Sequence, residues 1–318
     1  MRISFAGGGS DLPPFVPGIS GRVVGSAIDL RVRAVVEPFD RGWVRLEVPI
    51  TDAVATRAVH DPPSNEMSFR LLEAALAHTG VTDGVRIRIE TDIAPGAGLG
   101  GSAATSVAAL SALKWSLGET ATPEAIVREA TTIERERLSL VCGSQDQVFA
   151  ACGGVLDLSF AESGWTNMSR LPIEPSFMNE FEKGLLLVDT HVRRVSGEVL
   201  EKVDAGAALA SVEALVSSAA DAARAIEEGS LEGLLDAMRR SAAAKLRRDP
   251  RASALAVELG RRLEGLPVEV IRVCGAGNGG HVLVWAHADQ HEAIARALHP
   301  AGVRQPKLAA HGVCIELD

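Results

Sequence analysis

Residues 94–113 read APGAGLGGSAATSVAALSAL. A loop carrying Gly96, Gly98, Gly100 and Gly101 runs straight into an alanine-rich segment, and a helix is expected from about Ser102 to Leu117. Just before it, VRIRIETDI (85–93) places Val85, Ile87 and Ile89 on one face and Arg86, Arg88 and Glu90 on the other, the alternation of a half-buried strand. Glycines let a backbone approach a ligand closely and adopt positive φ. A helix N-terminus adds unpaired N–H groups and a partial positive charge. Together they suit a phosphate, so Pro95, Gly96, Ala97, Gly98, Leu99, Gly100, Gly101, Ser102 and Ala103 are candidate phosphate-binding residues. Ser102 either turns its hydroxyl toward a metal on the phosphates or simply caps the helix. Three glycines within four positions exceed what a merely packed loop needs.

Two nucleotide motifs bear on this loop. Gly96, Gly98 and Gly101 satisfy G-x-G-x-x-G, with Glu119 downstream, which keeps a nicotinamide oxidoreductase open as a rival. That fingerprint belongs after a buried parallel strand, and the strand here has a charged face. GAGNGG (275–280) fits the same pattern, which shows how little information it carries. No G-x-x-x-x-G-K-[ST] is present, so a P-loop is excluded.

Two further segments hold chemistry. IERERLSLVCGSQDQ (133–147) contains Glu134 in a helical context and Asp146 after Gly143. Mg²⁺ on a nucleotide takes one or two protein oxygens, and phosphoryl transfer to a hydroxyl needs a carboxylate near the acceptor. Glu134 suits the first role and Asp146 the second; each alone also reads as an exposed helix or turn acid. RISFAGGGSD (2–11) offers Arg2, a permanent cation for a phosphate or a catalytic carboxylate, and Asp11, an acceptor for sugar hydroxyls. Asp11 reads equally well as a turn residue before Leu12-Pro13-Pro14.

The whole chain narrows the class. It has 318 residues, 47% hydrophobic and 23% charged, so it fits either one large α/β unit or two closely packed lobes and is not a largely disordered chain. A net charge of −9 excludes a broad attraction to nucleic acid or an anionic membrane, and leaves an anionic ligand to local dipoles and a few placed cations. Cys142, Cys152, Cys274 and Cys314 lie far apart, with neither a zinc spacing nor a disulfide framework, which points to a reducing cytoplasm. His287 and His291 read as surface residues rather than a metal pair. No signal peptide and no membrane-length apolar run is visible.

Helices are expected at 66–78, 123–138, through 196–264 and at 288–298. Strands are expected at 21–40, 42–50, in GGVLDLSF, KGLLLVD, VEVIRVC and HVLVW, and finally near GVCIEL (312–317). The Pro- and Gly-containing segment 160–183 is the candidate boundary between lobes. Without a regular βαβ rhythm, the class is α+β.

In this order the three glycine-bearing segments resemble the GHMP kinase family over most of the chain. APGAGLGGSAA is similar to its central motif P-x-x-x-G-L-G-S-S-A-A, with Ala94 at the proline and Gly101 at the first serine. CGAGNGG (274–280) is similar to its G-A-G-G-G-G motif, with Asn278 and His281 departing from it. RISFAGGGSDLPPF and IERE…VCGSQDQVFAACGG resemble the branch of D-glycero-D-manno-heptose 7-phosphate kinases and fucokinase-type enzymes. Gly8 and Gly9 stand where the sugar-kinase pattern R-V-N-L-I-G-E-H-T-D has Glu-His, so galactose is not the implied substrate.

The resemblance implies an N-terminal ribosomal protein S5 domain 2-like ATP-binding lobe (1–170) and a C-terminal ferredoxin-like lobe (171–318) around one cleft. It implies ATP and Mg²⁺, with Ser102 and Glu134 holding the metal, Asp146 as base and Arg2 supporting Asp146 or the moving phosphate. Gly8, Gly9, Ser10, Asp11, Gly143, Arg194 (in THVRRVSGEVL) and Gly277 then bind the sugar. The expected protein is a cytoplasmic sugar kinase of carbohydrate metabolism, monomeric or homodimeric, with neither nucleic-acid nor membrane partner. It phosphorylates the anomeric hydroxyl of a heptose 7-phosphate. A kinase for another sugar or polyol, or a non-catalytic sugar and ATP sensor of the same fold, are the alternatives.

Overall fold

The computed structural model describes residues 1–12, 19–161, 164–192, 205–248, 250–275 and 279–317. Strands begin the chain: β1 (Arg2–Ala6) pairs antiparallel with β2 (Gly21–Ala27), and β3 (Val32–Pro38), β4 (Trp43–Val48) and β5 (Ala53–Ala58) belong to a second sheet in which β4 and β5 pair antiparallel. Then follow α1 (Arg70–Thr79), β6 (Val85–Thr91), α2 (Gly101–Ser116), α3 (Pro123–Thr132) and α4 (Gln145–Cys152). β7 (Val155–Ala161) and β8 (Gly164–Arg170) return to the first sheet, whose order is β1-β2-β7-β8. The second sheet runs β3-β6-β4-β5, with β6 antiparallel to β3 and parallel to β4.

The stretch 21–40 is therefore two strands in two sheets rather than one strand. At Ile28 the chain leaves β2: Asp29 N–H donates to the Lys307 carbonyl, and Ile28 bridges Leu308. Alternation of side chains is the same on both sides of that crossing, so the pattern alone could not show it. Helix α3 likewise ends at Thr132, where the expected helix to 138 widens into a π turn over Ile133–Arg137 closed by Leu138 N–H to Ile133 O.

The second half contributes α5 (Pro175–Lys183), β9 (Leu185–Asp189), α6 (Ala205–Glu227), α7 (Leu231–Arg248), α8 (Pro250–Arg262), β10 (Val270–Val273), β11 (His281–Trp285), α9 (His291–Leu298) and β12 (Gly302–Arg304). From β9 to β12 they follow the β-α-β-β-α-β succession of a ferredoxin-like lobe, with three helices (α6 to α8) where the motif has its first one, and their sheet order is β10-β11-β9-β12. The fold is thus α+β, as expected. The final strand is not where GVCIEL suggested. Residues 312–317 form no strand, Ile315 and Leu317 are exposed, and the edge beside β9 is taken by Gly302–Arg304. A short apolar alternation makes a strand only where a sheet edge is within reach.

Within the candidate boundary 160–183, Gly164–Arg170 belongs to the first sheet as β8, so the passage out of that sheet is confined to the residues before α5. The two halves are not separated by a polar gap. Ile3 and Phe5 of β1 share one core with Phe181, Leu187, Ala219, Met238 and Trp285, and the Phe5 and Phe181 rings meet edge-on at 5.0 Å. That shared core fixes β1, and hence Arg2 and the loop after Ala6, against both halves.

Candidate active site

Arg2 is the hub. Its backbone lies in β1, its side chain is buried, and its N–H donates to the Leu99 carbonyl at 3.0 Å. The guanidinium donates through Nη1 to Gly98 O at 2.8 Å, and through Nε and Nη2 to the two oxygens of Asp146 at 2.7 and 3.0 Å. Burial opposes the Arg2 charge, but the Asp146 carboxylate outweighs it and the net direction is upward. Asp146 stands in the first turn of α4, and its carboxylate abuts Gly100: a Cβ there would lie 3.3 Å from Asp146 Cγ and Oδ2. One guanidinium thus joins the strand, the glycine loop and the acid into a single unit.

The glycine loop turns as its residues predict. Gly96, Gly98 and Gly100 have φ of 81°, 76° and 76°, and Gly100 precedes α2, which begins at Gly101. Leu99 is buried and anchors the loop; Ala97 and Ala103 are buried too, while Pro95 is exposed. The carbonyls of Ala97, Gly98 and Leu99 are all taken up by protein donors: His281 N–H at 2.9 Å for Ala97, and Arg2 for the other two. The first-turn N–H groups of Gly101, Ser102 and Ala103 have no acceptor within the helix, as at any helix start. The N-cap is Gly100 with no side-chain cap, so Ser102 is not the cap; it is an exposed residue inside the first turn.

The third glycine patch closes on the first loop. A Cβ at Gly275 would stand 2.7 Å from Gly98 Cα, and one at Gly280 (φ 82°) would stand 2.4 Å from Ala97 O. His281 is buried, and its Nδ1 lies 3.1 Å from Ala97 O, a contact that needs the proton on Nδ1. Lys245 Nζ donates to the carbonyls of Val273 and Gly275. Segments about 180 residues apart therefore build one loop pair, and only close packing without side chains permits it.

Asp11 and Gly143 are brought together as well. Asp11 is 1% exposed, and its carboxylate accepts from Gln145 Nε2 at 2.7 Å and Gln145 N–H at 3.4 Å. A Cβ at Gly143 would fall 1.7 Å from Asp11 Oδ2, so the glycine is required by the acid. Burial, with the neighbouring Asp146 charge, pushes the Asp11 carboxyl up to about 6. Ser10 has another duty: its hydroxyl bonds the Arg22 backbone on both sides and pins the loop to β2. Gly8 packs on Ser4 and Arg272, and the Cβ direction of Gly9 is open. Arg194 and Gly277 lie outside the described residues.

Glu134 sits in the π turn, 4% exposed, and accepts from Ser106 Oγ at 3.1 Å and Gln147 Nε2 at 3.0 Å. Burial pushes its carboxyl up to about 7, against the pull of those two hydrogen bonds. It forms no ion pair among the described residues, and the nearby Ser144 Oγ, Gln145 Oε1 and Gln147 Oε1 are buried without a partner. No group of three or more His, Cys, Asp or Glu side chains gathers among the described residues, so there is no all-protein metal cage. A lone buried carboxylate with hydroxyls beside it fits Mg²⁺ arriving with a nucleotide. Sequence reasoning missed Ser106. It lies four residues after Ser102, hence on the same face of α2, which is the signal that could have found it.

Comparison with known proteins gives the class first. Residues 67–154 match the family model described as GHMP kinases N terminal domain. The structure superposes on that of a D-glycero-D-manno-heptose 1-phosphate kinase from Bacteriodes thetaiotaomicron with a TM-score of 0.80 at 20% identity, covering 98% of this chain and 95% of that one. The chain thus carries a GHMP kinase N-terminal domain within a GHMP kinase fold, and the expected resemblance is borne out.

Two curated relatives are similar over part of their length. The D-glycero-alpha-D-manno-heptose 7-phosphate kinase of Campylobacter jejuni subsp. jejuni is 25% identical over 211 residues, covering 63% of this chain and 61% of that protein. The bifunctional fucokinase/GDP-fucose pyrophosphorylase of Arabidopsis thaliana is 26% identical over 225 residues, covering 64% of this chain and 21% of that protein. The chain matches less than two thirds of the length of either.

Proposed function

We propose that the chain is an ATP-dependent sugar kinase that transfers the γ-phosphoryl group to a hydroxyl of a sugar phosphate. The observation that carries this is the placement of Asp146: Arg2 fixes both its oxygens, and it lies against Gly100 of the loop that feeds the α2 N-terminus. A base and a phosphate cradle are thereby adjacent, as in-line transfer requires.

The acceptor hydroxyl gives its proton to the Asp146 carboxylate. Its oxygen bonds to the γ-phosphorus as the bond to the β-bridging oxygen breaks, and ADP leaves with the electron pair. The N–H groups at the start of α2 receive phosphate oxygens. Ser102 and Glu134 are the residues that would hold Mg²⁺, which when bound neutralises phosphate charge. Arg2 keeps Asp146 oriented. Asp11, set by Gln145 and Gly143, accepts hydrogen bonds from acceptor hydroxyls, as does the loop bearing Gly8 and Gly9.

The preferred acceptor is D-glycero-D-manno-heptose 7-phosphate at its anomeric hydroxyl, supported by the similarity to the Campylobacter kinase of that name. In this reading residues 1–170 form the ATP-binding lobe and 171–318 the second lobe, acting in the cytoplasm as a monomer or homodimer. The described cysteines are all free, and no helix among the described residues is long and apolar enough to cross a membrane. The test is coupled ADP release over a panel of sugars and sugar phosphates. Release with a sugar acceptor supports the kinase; ATP binding with no release across the panel would leave a sensor.

A further inference from the structure

Beneath the acceptor loop lies a cation that the scheme above leaves unused. Arg272, on β10, is 2% exposed. Among the described residues its guanidinium reaches two hydroxyls, Ser241 Oγ at 2.9 Å from Nη1 and Ser4 Oγ at 3.4 Å from Nη2. Among the described residues it has no carboxylate partner. Its neighbours differ: Arg2 is neutralised by Asp146, and Lys245 donates to the carbonyls of Val273 and Gly275. A buried charge without a counterion is costly, and burial brings Arg272 down to about 10. In a chain of net charge −9, acids were not scarce.

Its position is specific. Gly7 N–H donates to the same Ser241 Oγ at 2.9 Å, and a Cβ on Gly8 would meet Ser4 Oγ at 2.5 Å and Arg272 Nη2 at 3.1 Å. The guanidinium therefore supports the loop that ends at Asp11. The Cβ direction of the next residue, Gly9, meets no described residue within 4 Å. A planar cation without a carboxylate partner among the described residues thus lies directly under a side-chain-free loop that leads to Asp11.

We propose that Arg272 is the counter-cation for an anionic substituent already on the acceptor, so that the site selects a phosphorylated sugar over the same sugar without its phosphate. A guanidinium suits a phosphate monoester, whose oxygens match its fork of donors. The assignment rests on the reading of the Asp11 loop as the acceptor site. It adds a residue for the substituent remote from the reacting hydroxyl.

The test is calorimetric titration of the full chain with D-glycero-D-manno-heptose 7-phosphate and with D-glycero-D-manno-heptose, with MgADP titrated as a check on the fold. Wild type is expected to bind the phosphate ester about tenfold or more tightly than the free sugar, the range of a charge-assisted hydrogen bond. R272M should erase that preference with MgADP affinity unchanged, and R272K should retain part of it. Should R272M fail to fold, R272Q, which still offers hydrogen-bond donors to Ser4 and Ser241, takes its place. Equal binding of the two sugars by wild type overturns the proposal. So does a preference that survives R272M, or an equal loss for both sugars, which would mark a purely structural anchor. Because binding is read without turnover, a wild type that prefers the ester yet releases no ADP would sink the kinase reading and leave the Arg272 site standing.

Discussion

Arg2 grips both carboxylate oxygens of Asp146, at 2.7 and 3.0 Å, although 144 residues of chain separate them. The same guanidinium holds the Gly98 carbonyl. Asp146 is thus oriented by a group that also shapes the glycine loop, and acid and loop are held as one unit. D146N keeps the shape and one acceptor for Arg2 but removes the base. We expect kcat to fall by about 10²–10⁴, with the affinity for a non-hydrolysable ATP analogue changed by no more than about twofold. Steady-state ADP release and calorimetry check the two halves; a near-wild-type rate would remove Asp146 from its role.

Gly143 touches Asp11 so closely that no side chain fits between the turn and the carboxylate. G143A must displace Asp11 or the start of α4. The expected outcome is an acceptor KM raised about tenfold to a hundredfold, while the KM for ATP stays near wild type. An ATP effect as large as the sugar effect would show that Asp11 does not serve the acceptor alone.

The Glu134 carboxyl holds its proton up to about pH 7 when folded, against 4.5 as its ordinary value. Between those values the folded chain binds more protons than the unfolded one, so ligand-free stability falls as pH rises through the window. Asp11 acts with the same sign between 3.8 and about 6. E134Q should flatten the melting temperature across pH 4.5–7 and gain on wild type as pH rises. MgADP should raise the wild-type melting temperature more at pH 8 than at pH 6, since a metal needs the ionised carboxylate. Melting curves at fixed ionic strength decide this; an unchanged slope in E134Q would exclude Glu134 as the titrating group.

Gly280 combines a φ of 82° with a Cβ direction 2.4 Å from Ala97 O. G280A carries a conformational cost of about 1–2 kcal/mol, and the clash pushes the two glycine loops apart. We expect a melting temperature lower by a few degrees and a weaker ATP affinity, read by melting and by nucleotide titration. Lower stability with intact ATP affinity would mean that the contact of the two loops is structural only.

Much of the site was legible because it is written locally. A glycine loop entering a helix, an acid after Gly143 and an arginine at the chain start are short-range patterns, and the structure places all three together. The roles of Ser102 and Ser10 were less legible. The cap at α2 proved to be Gly100, and Ser10 bonds the backbone of Arg22. Both depend on where a hydroxyl finds its partner, which composition does not state. Gln147 was visible only as a polar neighbour of Asp146, yet it reaches back to Glu134.

The sequence by itself determined the α+β class, the glycine loop that turns into α2 and the identity of the acid and the cation that meet beside it. These follow from backbone permissiveness, helix dipoles and side-chain chemistry, all of which act within a few residues. Only the tertiary structure decided that β2 and β3 lie in different sheets, that GVCIEL forms no strand, and that Gly275 and Gly280 lean on Gly98 and Ala97. Only it revealed that Arg272 lies buried under Gly8 with no carboxylate partner among the described residues. Strand partners, close backbone contacts and unpaired charges arise from long-range packing, where burial sets the energies and one segment cannot know what the other will offer.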